Sequence, residues 1–282
     1  MRTDMTTAAP IEAPRPLRRG LVRQVTDVVD HWDLLTLLVR KELRVKYKGT
    51  VLGFAWSMLN PLLMMAVYSI VFSVIARPGV ERYPVLVFSG MLPWTAVIGT
   101  IASGSTSVIS NGNLIKRVRF PVELIPVTTA LSNMVNLLLG LIVLFAVAVL
   151  WPPPQLPTVA LVALPLLLTL QALFLIGAAL AVSAITVYFR DLEHLLQVFL
   201  MLWFFGSPIL YPLSQFPPNS KAHLIELFNP MTWLMDSYQH IWHSGTWPNW
   251  RFVLAFAALS IATILIGSAI FRRASRRFAE EV

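Results

Sequence analysis

The sequence predicts an all-α membrane protein with six transmembrane helices, an N-terminal amphipathic helix in the membrane interface and short re-entrant helices before the last span. Hydrophobic residues make up 56% of the 282 residues and charged residues only 13%, far from the mix found in soluble domains. The charges are confined to short stretches, and the uncharged segments between them are long enough to cross the membrane at about 20 residues per helix. This composition excludes a soluble domain, which could not cover so much apolar surface.

The spans follow from five uncharged stretches. Residues 124–189 are long enough for two passes, and the segment Trp151-Pro152-Pro153-Pro154-Gln155-Leu156-Pro157 divides them because no helix can continue through it. The six predicted spans are 54–76, 84–109, 122–150, 158–188, 195–212 and 251–271. The predicted domains are a flexible tail (1–30), an interfacial helix (31–48), a transmembrane domain (49–275) and a short tail (276–282).

The distribution of lysine and arginine predicts the orientation in the membrane. With the N-terminus inside, the cytoplasmic segments hold 18 of these residues and the outer segments hold four. Cytoplasmic loops carry the excess of positive charge in membrane proteins. We therefore expect a multi-pass protein of the cytoplasmic membrane with both termini in the cytoplasm.

The segment before the first span has the pattern of a basic amphipathic helix. On a 3.6-residue period its apolar residues fall on one face and its basic residues on the other. The predicted apolar face comprises Trp32, Leu35, Val39, Leu43 and Tyr47, and the basic face comprises Arg40, Lys41, Arg44 and Lys48. Such a helix lies in the interface, either as an anchor among lipid phosphates or as a docking surface for a cytoplasmic partner.

Several function classes are disfavoured by what the sequence does not contain. The middles of the predicted spans have no Asp, Glu, Lys or Arg, whereas ion-coupled carriers usually need such residues inside the membrane. The chain has no cysteine and no G-x-x-x-x-G-K-[ST] phosphate loop, so any ATP that drives transport by that route is hydrolysed on another chain. We predict no enzyme activity for this chain.

The outer segment from 212 to 250 is irregular and rich in proline. Two short, half-apolar helices are predicted there, too short to span and therefore lying in or along the outer leaflet. His240 and His243 are one helical turn apart but have no third ligand nearby, which favours a polar surface pair over a metal site. For Asp236 we expect a solvated face.

Uncharged polar and aromatic side chains are plentiful within the spans. The polar ones more often join helices than bind substrate, and many aromatic residues face lipid or form interfacial belts. A subset lining a pore would suit sugars, whose apolar ring faces stack on aromatic planes. The candidate channel-lining residues are Phe54, Trp56, Asn60, Tyr68, Phe72, Phe88, Trp94, Phe204 and Tyr211.

A series of motifs gives the chain a resemblance to a known family. In order they are Lys46-Tyr47-Lys48-Gly49-Thr50-Val51-Leu52-Gly53, Trp56-Ser57-Met58-Leu59-Asn60-Pro61, Arg117-Val118-Arg119-Phe120-Pro121, Ser207-Pro208-Ile209-Leu210-Tyr211-Pro212 and Asn229-Pro230-Met231-Thr232. Over residues 31–275 the sequence resembles the permease subunit of ABC-2 type polysaccharide exporters, the Wzm-like proteins that export O-antigen, teichoic acid or galactan.

This resemblance implies a homodimer with two copies of a separate nucleotide-binding ATPase, which would hold the ATP and Mg²⁺, and a lipid-linked glycan as cargo. It implies no cofactor, metal or nucleic acid on this chain. It also implies that the basic 111–120 loop resembles the coupling helix that docks into the ATPase. The ATPase-coupling candidates are Arg40, Lys41, Arg44, Leu114, Lys116, Arg117, Arg119, Phe120, Arg190, Asp191 and Glu193.

We expect ATP binding to close the two ATPases and to part the first and fifth spans of the dimer, so that the glycan threads through. Three alternatives remain open from the sequence. They are an ABC-2 permease for a drug or a simple lipid, an ion-coupled secondary carrier, and a membrane scaffold without a transport role.

Overall fold

The computed structural model describes residues 31–46, 48–71, 80–117, 120–151, 159–217 and 220–278. Over these ranges the chain is helical and contains no strand, which confirms the all-α prediction. The predicted tail 1–30, the last four residues of the chain, the predicted proline-rich turn after Trp151, and the residues Tyr47, Phe72 and Arg119 lie outside the described residues.

Ten α-helices form the described part of the chain. They are α1 (Trp32–Lys46), α2 (Trp56–Val71), α3 (Tyr83–Ser110), α4 (Gly112–Arg117), α5 (Leu124–Leu150), α6 (Leu164–Tyr188), α7 (Leu192–Phe205), α8 (Lys221–Phe228), α9 (Pro230–Gln239) and α10 (Trp250–Ala274). One turn of 3₁₀-helix precedes α2, another (Val159–Ala163) leads into α6, and a π-helical turn (His240–Ser244) follows α9.

Four helices are long and apolar enough to cross a membrane, namely Tyr83–Ser110, Leu124–Leu150, Val159–Tyr188 and Trp250–Ala274. They correspond to the second, third, fourth and sixth predicted spans, and they make the chain a multi-pass membrane protein. The described parts of α2 and α7 have 16 and 14 residues, so the count of six spans is not confirmed.

The fifth predicted span, 195–212, differs most from the structure. Its helix, α7, begins at Leu192 and ends at Phe205. Gly206 follows as the C-cap, and Ser207 precedes a proline, a position that disfavours helical backbone. The chain then continues without regular structure to a short 3₁₀ turn at Leu213–Gln215.

Helix α3 lies at the centre of the bundle. It contacts α2, α5, α6, α7 and α9, and Val85, Phe88, Val97 and Val108 along its length are fully buried. Because these five helices surround it, α3 has little surface left for lipid. It forms the scaffold against which the remaining helices are placed.

The closest helix pair is α6 and α10, which pack along an extensive interface. A Cβ on Gly177 would lie 2.5 Å from the backbone nitrogen of Ile264, and a Cβ on Gly267 would collide with the carbonyl oxygen of Gly177. Small residues allow helix backbones to approach closely in membranes, where packing replaces the hydrophobic effect between helices. These two glycines therefore set the distance between α6 and α10.

Cross-helix hydrogen bonds define the two ends of the bundle. At one end, the Tyr188 hydroxyl donates to the carbonyl oxygen of Ala274 at 2.8 Å, which joins the last turns of α6 and α10. At the other end, Arg82 donates to the carbonyl oxygen of Ala148 at 2.6 Å, which joins the start of α3 to the last turn of α5. We call these the α1 end and the α9 end, after the short helix that packs at each.

Helix α1 packs against α5 with residues of the predicted apolar face. Leu35 is 1% exposed and lies against Leu124 of α5, and Val39 and Leu43 are half-buried. Trp32, at the start of the helix, is 61% exposed, so the predicted face is not buried at that end. The carboxylate of Glu42 also turns toward α5, where it has a hydrogen-bond donor.

Candidate functional site

A polar cavity lies at the α1 end, between α1, the last turns of α3, α4 and the first turns of α5. Its volume is about 520 Å³, within the range of ligand sites in proteins. Hydroxyl and amide side chains dominate its wall, together with one acid, Glu42, and two lysines, Lys41 and Lys46. The hydroxyl and amide residues include Thr106, Ser107, Asn111, Thr128 and Asn133.

A second cavity of about 350 Å³ lies beside the first, between α2, α3 and α5. Lys46, Asn133 and Asn136 line both cavities, and Trp56 and Asn60 of α2 line the second. We refer to the two together as the polar groove. It runs from beneath α1 toward the membrane-embedded part of the bundle.

Glu42 is the acidic residue of the groove, and the sequence analysis missed it. It accepts a hydrogen bond from the Ser132 hydroxyl at 3.3 Å. Burial raises the pKa of Glu42, while hydrogen bonds from Ser132 and Thr129 and the charges of Lys46 and Lys41 oppose the rise. Its signal in the sequence is its spacing, four residues after Leu38 and seven after Leu35, which places an acid on the buried side of the helix.

Two of the coupling candidates meet at this cavity. Lys41 on α1 and Leu114 on α4 both line it, so the interfacial helix and the predicted coupling loop are neighbours in space. Arg40, Lys41 and Arg44 are exposed on the outer side of α1. Together these residues form a basic surface that continues toward α4.

The other coupling candidates lie in two places. Lys116 is exposed at the end of α4, and Phe120 is half-buried against the α1–α5 contact. Arg190 and Asp191 are exposed in the turn between α6 and α7, and Glu193 on α7 is half-buried. The side chain of Arg117 and the whole of Arg119 lie outside the described residues.

Three of the predicted channel-lining residues form one aromatic cluster between α2, α3 and α7. The ring of Phe204 lies 5.8 Å from that of Tyr68 and 5.9 Å from that of Trp94, measured between centroids. Trp203 packs edge-on against Trp94 at 6.0 Å. The cluster therefore ties the two shorter apolar helices, α2 and α7, to the central helix.

The remaining channel-lining candidates are dispersed. Phe88 is fully buried in the core of the subunit, and Tyr211 packs against Phe216 at 5.3 Å beyond the end of α7. Trp56 is 38% exposed at the groove. The side chain of Phe54 and the whole of Phe72 lie outside the described residues.

At the α9 end, side-chain hydrogen bonds connect different helices. The side-chain amide oxygen (Oδ1) of Asn229 accepts from the backbone N–H of Met231 at 3.0 Å, which caps α9, and from the Trp203 indole at 2.9 Å. The Asn229 amide donates to the carbonyl oxygen of Gly206 at 2.6 Å. The Asn-Pro motif thus connects the start of α9 with the end of α7.

A second chain of hydrogen bonds at the α9 end crosses the core. The Tyr238 hydroxyl donates to the side-chain oxygen (Oε1) of Gln171 at 2.8 Å, and the side-chain nitrogen (Nε2) of Gln171 donates to the carbonyl oxygen of Pro93 at 3.0 Å. Both Tyr238 and Gln171 are fully buried. Helices α9, α6 and α3 are thereby linked in series.

The histidines and Asp236 lie above this network. Asp236 is only 6% exposed, so the solvated face predicted for it is wrong; the helix turns it inward, with His240 at 3.6 Å as an ion-pair partner. The His243 ring bonds the carbonyl oxygen of Glu81 at 2.8 Å. Among the described residues no three His, Cys, Asp or Glu side chains are placed to hold a metal ion.

Comparison with known proteins identifies the family to which the chain is similar. Residues 33–243 match the family model of the ABC-2 type transporter. An O-antigen export system permease protein RfbA of Myxococcus xanthus is 34% identical over 93% of this chain and 100% of its own length. Another of that name from Klebsiella pneumoniae is 30% identical over 88% of this chain and 95% of its own.

A more distant relative is the polysialic acid transport protein KpsM of Escherichia coli, 22% identical over 83% of this chain and 91% of its own length. The family model covers the chain from the interfacial helix to the α9 end, a stretch that contains all five motifs singled out in the sequence. This chain belongs to the ABC-2 type transporter family.

Proposed function

We propose that this chain is the membrane-spanning permease subunit of an ABC exporter that carries a lipid-linked polysaccharide, such as an O-antigen, teichoic acid or galactan precursor, across the cytoplasmic membrane. The observation that carries the proposal is the full-length similarity to permeases named for O-antigen export. The polar groove supports it, because hydroxyl and amide groups suit a sugar polymer better than an apolar drug or a simple lipid.

In this proposal α2 and α7 complete six crossings, and both termini face the cytoplasm. The 14 residues of α7 span about 21 Å at 1.5 Å per residue, less than the hydrocarbon thickness. The irregular segment after it packs inside the protein, where Ile209 and Leu210 are buried. Non-helical backbone is tolerated at membrane depth only under such protection.

The energy comes from a separate ATPase, which would hold ATP and Mg²⁺, since this chain has no phosphate loop. The docking surface comprises the exposed basic side of α1, helix α4 and the turn at Arg190 and Asp191. All three lie at the α1 end, so one cytoplasmic partner can contact them together.

The exporter would work as a homodimer with two ATPase subunits, and α2 and α7 of each copy would border the channel. Exposed apolar side chains on both helices are consistent with this, including Val67 and Ile70 on α2 and Met201 and Leu202 on α7. Closure of the ATPases would push on α1 and α4 and separate these helices.

The experiment that tests the proposal is co-expression of this chain with an ABC-exporter ATPase of the same organism, in cells that make the glycan but lack this chain. We expect surface glycan to return only when both proteins are present. Restored drug resistance or lipid export without surface glycan would contradict the cargo. Transport that needs an ion gradient and no ATPase would contradict the mechanism.

The coupling surface has its own test in the same system. Replacing Lys116, Arg117 and Arg119 by alanine should abolish export and the stimulation of ATPase activity. Replacing Lys221, on the opposite end of the protein, should leave both intact and controls for loss of a positive charge. If the triple variant retains both activities, the 111–120 loop is not the coupling element.

A further inference from the structure

Helix α10 is the outermost of the four long helices. It packs mainly against α6 and α9, and its apolar stretch is the least buried of the four candidate spans. Leu254, Ile261 and Leu265 on its free side are 68%, 52% and 45% exposed. Since none of the described helices covers this side, and α2 and α7 border the channel in the proposed dimer, the free side of α10 lies against the lipid chains.

Two exposed arginines continue this side of the helix beyond its apolar part. Arg273 lies two helical turns after the exposed Ile266, and Arg276, in the 3₁₀ turn that follows α10, lies three turns after Leu265. These spacings keep side chains on one side of a helix. Both arginines are exposed, whereas Arg272 is half-buried.

The length of α10 places the two arginines at the level of the lipid headgroups. Trp250, at the start of the helix, is 47% exposed and lies against Trp247 with ring centroids 6.2 Å apart, and exposed tryptophans are typical of the membrane interface. From Trp250 to Arg273 the helix rises about 35 Å at 1.5 Å per residue, slightly more than the ~30 Å of the hydrocarbon core. Arg273 and Arg276 therefore leave the hydrocarbon at the phosphates of the opposite leaflet.

An exposed tyrosine at the same level supports this placement. Tyr188, the last residue of α6, donates to the carbonyl oxygen of Ala274 at 2.8 Å and is 48% exposed. Tyrosine, like tryptophan, is enriched at both membrane interfaces. Aromatic residues typical of an interface thus lie at both ends of α10, and the two arginines lie beside Tyr188.

The charges of the two arginines are not balanced by the part of the chain that the structure describes. Neither Arg273 nor Arg276 has an acidic partner there. Like charges three residues apart on a helix repel each other, so an anion between the two guanidinium groups would relieve this repulsion. Arginine binds phosphate oxygens through charge-assisted, often bidentate hydrogen bonds.

We infer that Arg273 and Arg276 bind the headgroup of an anionic phospholipid whose acyl chains lie along the apolar side of α10. The arginines match the phosphate and the net negative charge, and the apolar side matches the chains. A cytoplasmic protein would meet only the charges, because Leu265 and Ile266 lie within the hydrocarbon. The inference goes beyond the proposed function and does not depend on the cargo.

The helix dipole offers a simpler reason for basic residues at the end of α10, since cations are favourable near a helix C-terminus. A role limited to the dipole would add to the stability of the helix. It predicts no preference at this site for one lipid over another, so lipid preference separates the two accounts.

Fluorescence quenching by spin-labelled lipids measures this preference at the site itself. The chain has no cysteine, so Ile266→Cys can carry a single bimane label on the same side of α10. The labelled permease is reconstituted into phosphatidylcholine vesicles that contain a small fraction of phosphatidylglycerol or phosphatidylcholine with a doxyl group on one acyl chain. Both lipids have a phosphate diester, but only phosphatidylglycerol has a net negative charge.

With both arginines in place, doxyl-phosphatidylglycerol should associate at Ile266→Cys about 25-fold more strongly than doxyl-phosphatidylcholine, since each arginine near the lipid surface contributes about 5-fold. The double variant Arg273→Gln, Arg276→Gln should reduce this ratio to about 1. Arg251→Gln, an exposed position at the other end of α10, should leave the ratio unchanged and controls for the loss of a positive charge.

A ratio near 1 with both arginines in place would overturn the inference, and would mean that they are already neutralised, for instance by Glu280 or Glu281, which lie outside the described residues. A ratio that survives the double substitution, or falls equally in Arg251→Gln, would overturn it as well. If the double variant does not fold, the comparison of the two lipids with both arginines present still decides.

Leu254→Cys, on the same side of α10 near its other end, is the control position for the label. The lipid preference measured there should not change in the double variant. If the double variant keeps the lipid preference at Ile266→Cys but no longer supports stimulation of the ATPase, the arginines contact the ATPase and the inference is wrong.

Discussion

The two ends of the bundle use polar side chains in opposite ways. At the α9 end these side chains bond to partners far away in sequence, as Arg82 does to Ala148 and Tyr238 does to Gln171. At the α1 end most hydroxyls bond to the carbonyl three or four residues earlier in their own helix, as Thr128 does. The α9 end is therefore cross-linked, while the α1 end encloses a cavity and is held together by few cross-helix bonds.

This difference indicates where the molecule is rigid and where it can open. A buried polar group that loses its partner costs more than the bond itself contributed, so the α9 end resists separation of its helices. Hydroxyls that bond within one helix impose no such cost when helices move apart. Four substitutions, from the largest expected effect to the smallest, test the contrast.

The largest effect should come from Gln171→Leu at the α9 end. It leaves the Tyr238 hydroxyl and the carbonyl oxygen of Pro93 buried without their partner, and we expect a loss of about 2–4 kcal/mol of stability. Thermal unfolding of the detergent-solubilised protein measures it. The control is Thr169→Val, at an exposed position of the same helix. Equal losses of stability in the two variants would show that the buried hydrogen bonds of Gln171 contribute nothing to stability.

Arg82 should give the next largest effect. Arg82→Ala removes the bonds to Ala148 and to His243, with an expected loss of about 2 kcal/mol. Residue 82 has a positive φ of 52°, a conformation that costs alanine roughly 1 kcal/mol more than glycine. Arg82→Gly should therefore unfold at a higher temperature than Arg82→Ala, and the reverse order would contradict this account of the site.

At the α1 end, the pH should change the position of α1 rather than the stability of the whole bundle. Burial raises the pKa of Glu42 above its ordinary value of 4.5. The docked position of α1 favours the protonated form of Glu42. The stabilisation of docking by this protonation is complete below about pH 4.5, and it is lost as the pH rises through the raised pKa of Glu42. The docked fraction of α1 should fall over that window.

Spin labels on Leu37→Cys and Ile142→Cys, both exposed positions, measure the α1–α5 distance by double electron–electron resonance. In Glu42→Gln the distance distribution should no longer depend on pH in this window. If the wild-type and Glu42→Gln proteins respond to pH alike, Glu42 does not hold the helix.

The smallest effect should come from Ser110→Ala, near the cavity. Its hydroxyl bonds only to the carbonyl oxygen of Ser107 and to the neighbouring Asn111, so the change should stay within about 0.5 kcal/mol. Thermal unfolding again provides the measurement. A loss as large as that of Gln171→Leu would show that the α1 end is also cross-linked.

The sequence predicted the features that depend on composition and on local rules. Long apolar segments gave the four candidate spans to within a few residues. Two short helices were predicted in the outer segment, and α8 and α9 lie there. The second begins after Asn229, where an asparagine cap followed by proline is favoured by local geometry.

What it did not predict depends on distant partners. Helical spacing places Glu42 on the same side of α1 as the buried Leu35, seven residues earlier, but its hydrogen-bond partner Ser132, 90 residues away, could not be identified from the sequence of α1. Asp236 was expected to be solvated because a charged residue in a short outer segment is usually exposed. The polar groove was likewise hidden, because its walls come from helices that the chain brings together only on folding.

The crossing of α6 and α10 has a consequence for how the subunit can move. With Gly177 and Gly267 in backbone contact, neither helix can slide or rotate against the other without a collision of main-chain atoms. The pair is therefore a single mechanical part, and any motion that admits a polymer has to take place at its borders. We expect the hinges of the subunit in the described connection from α1 to α2, where a Cβ on Gly49 or Gly53 would meet no other atom within 4 Å, and in the turn from α6 to α7.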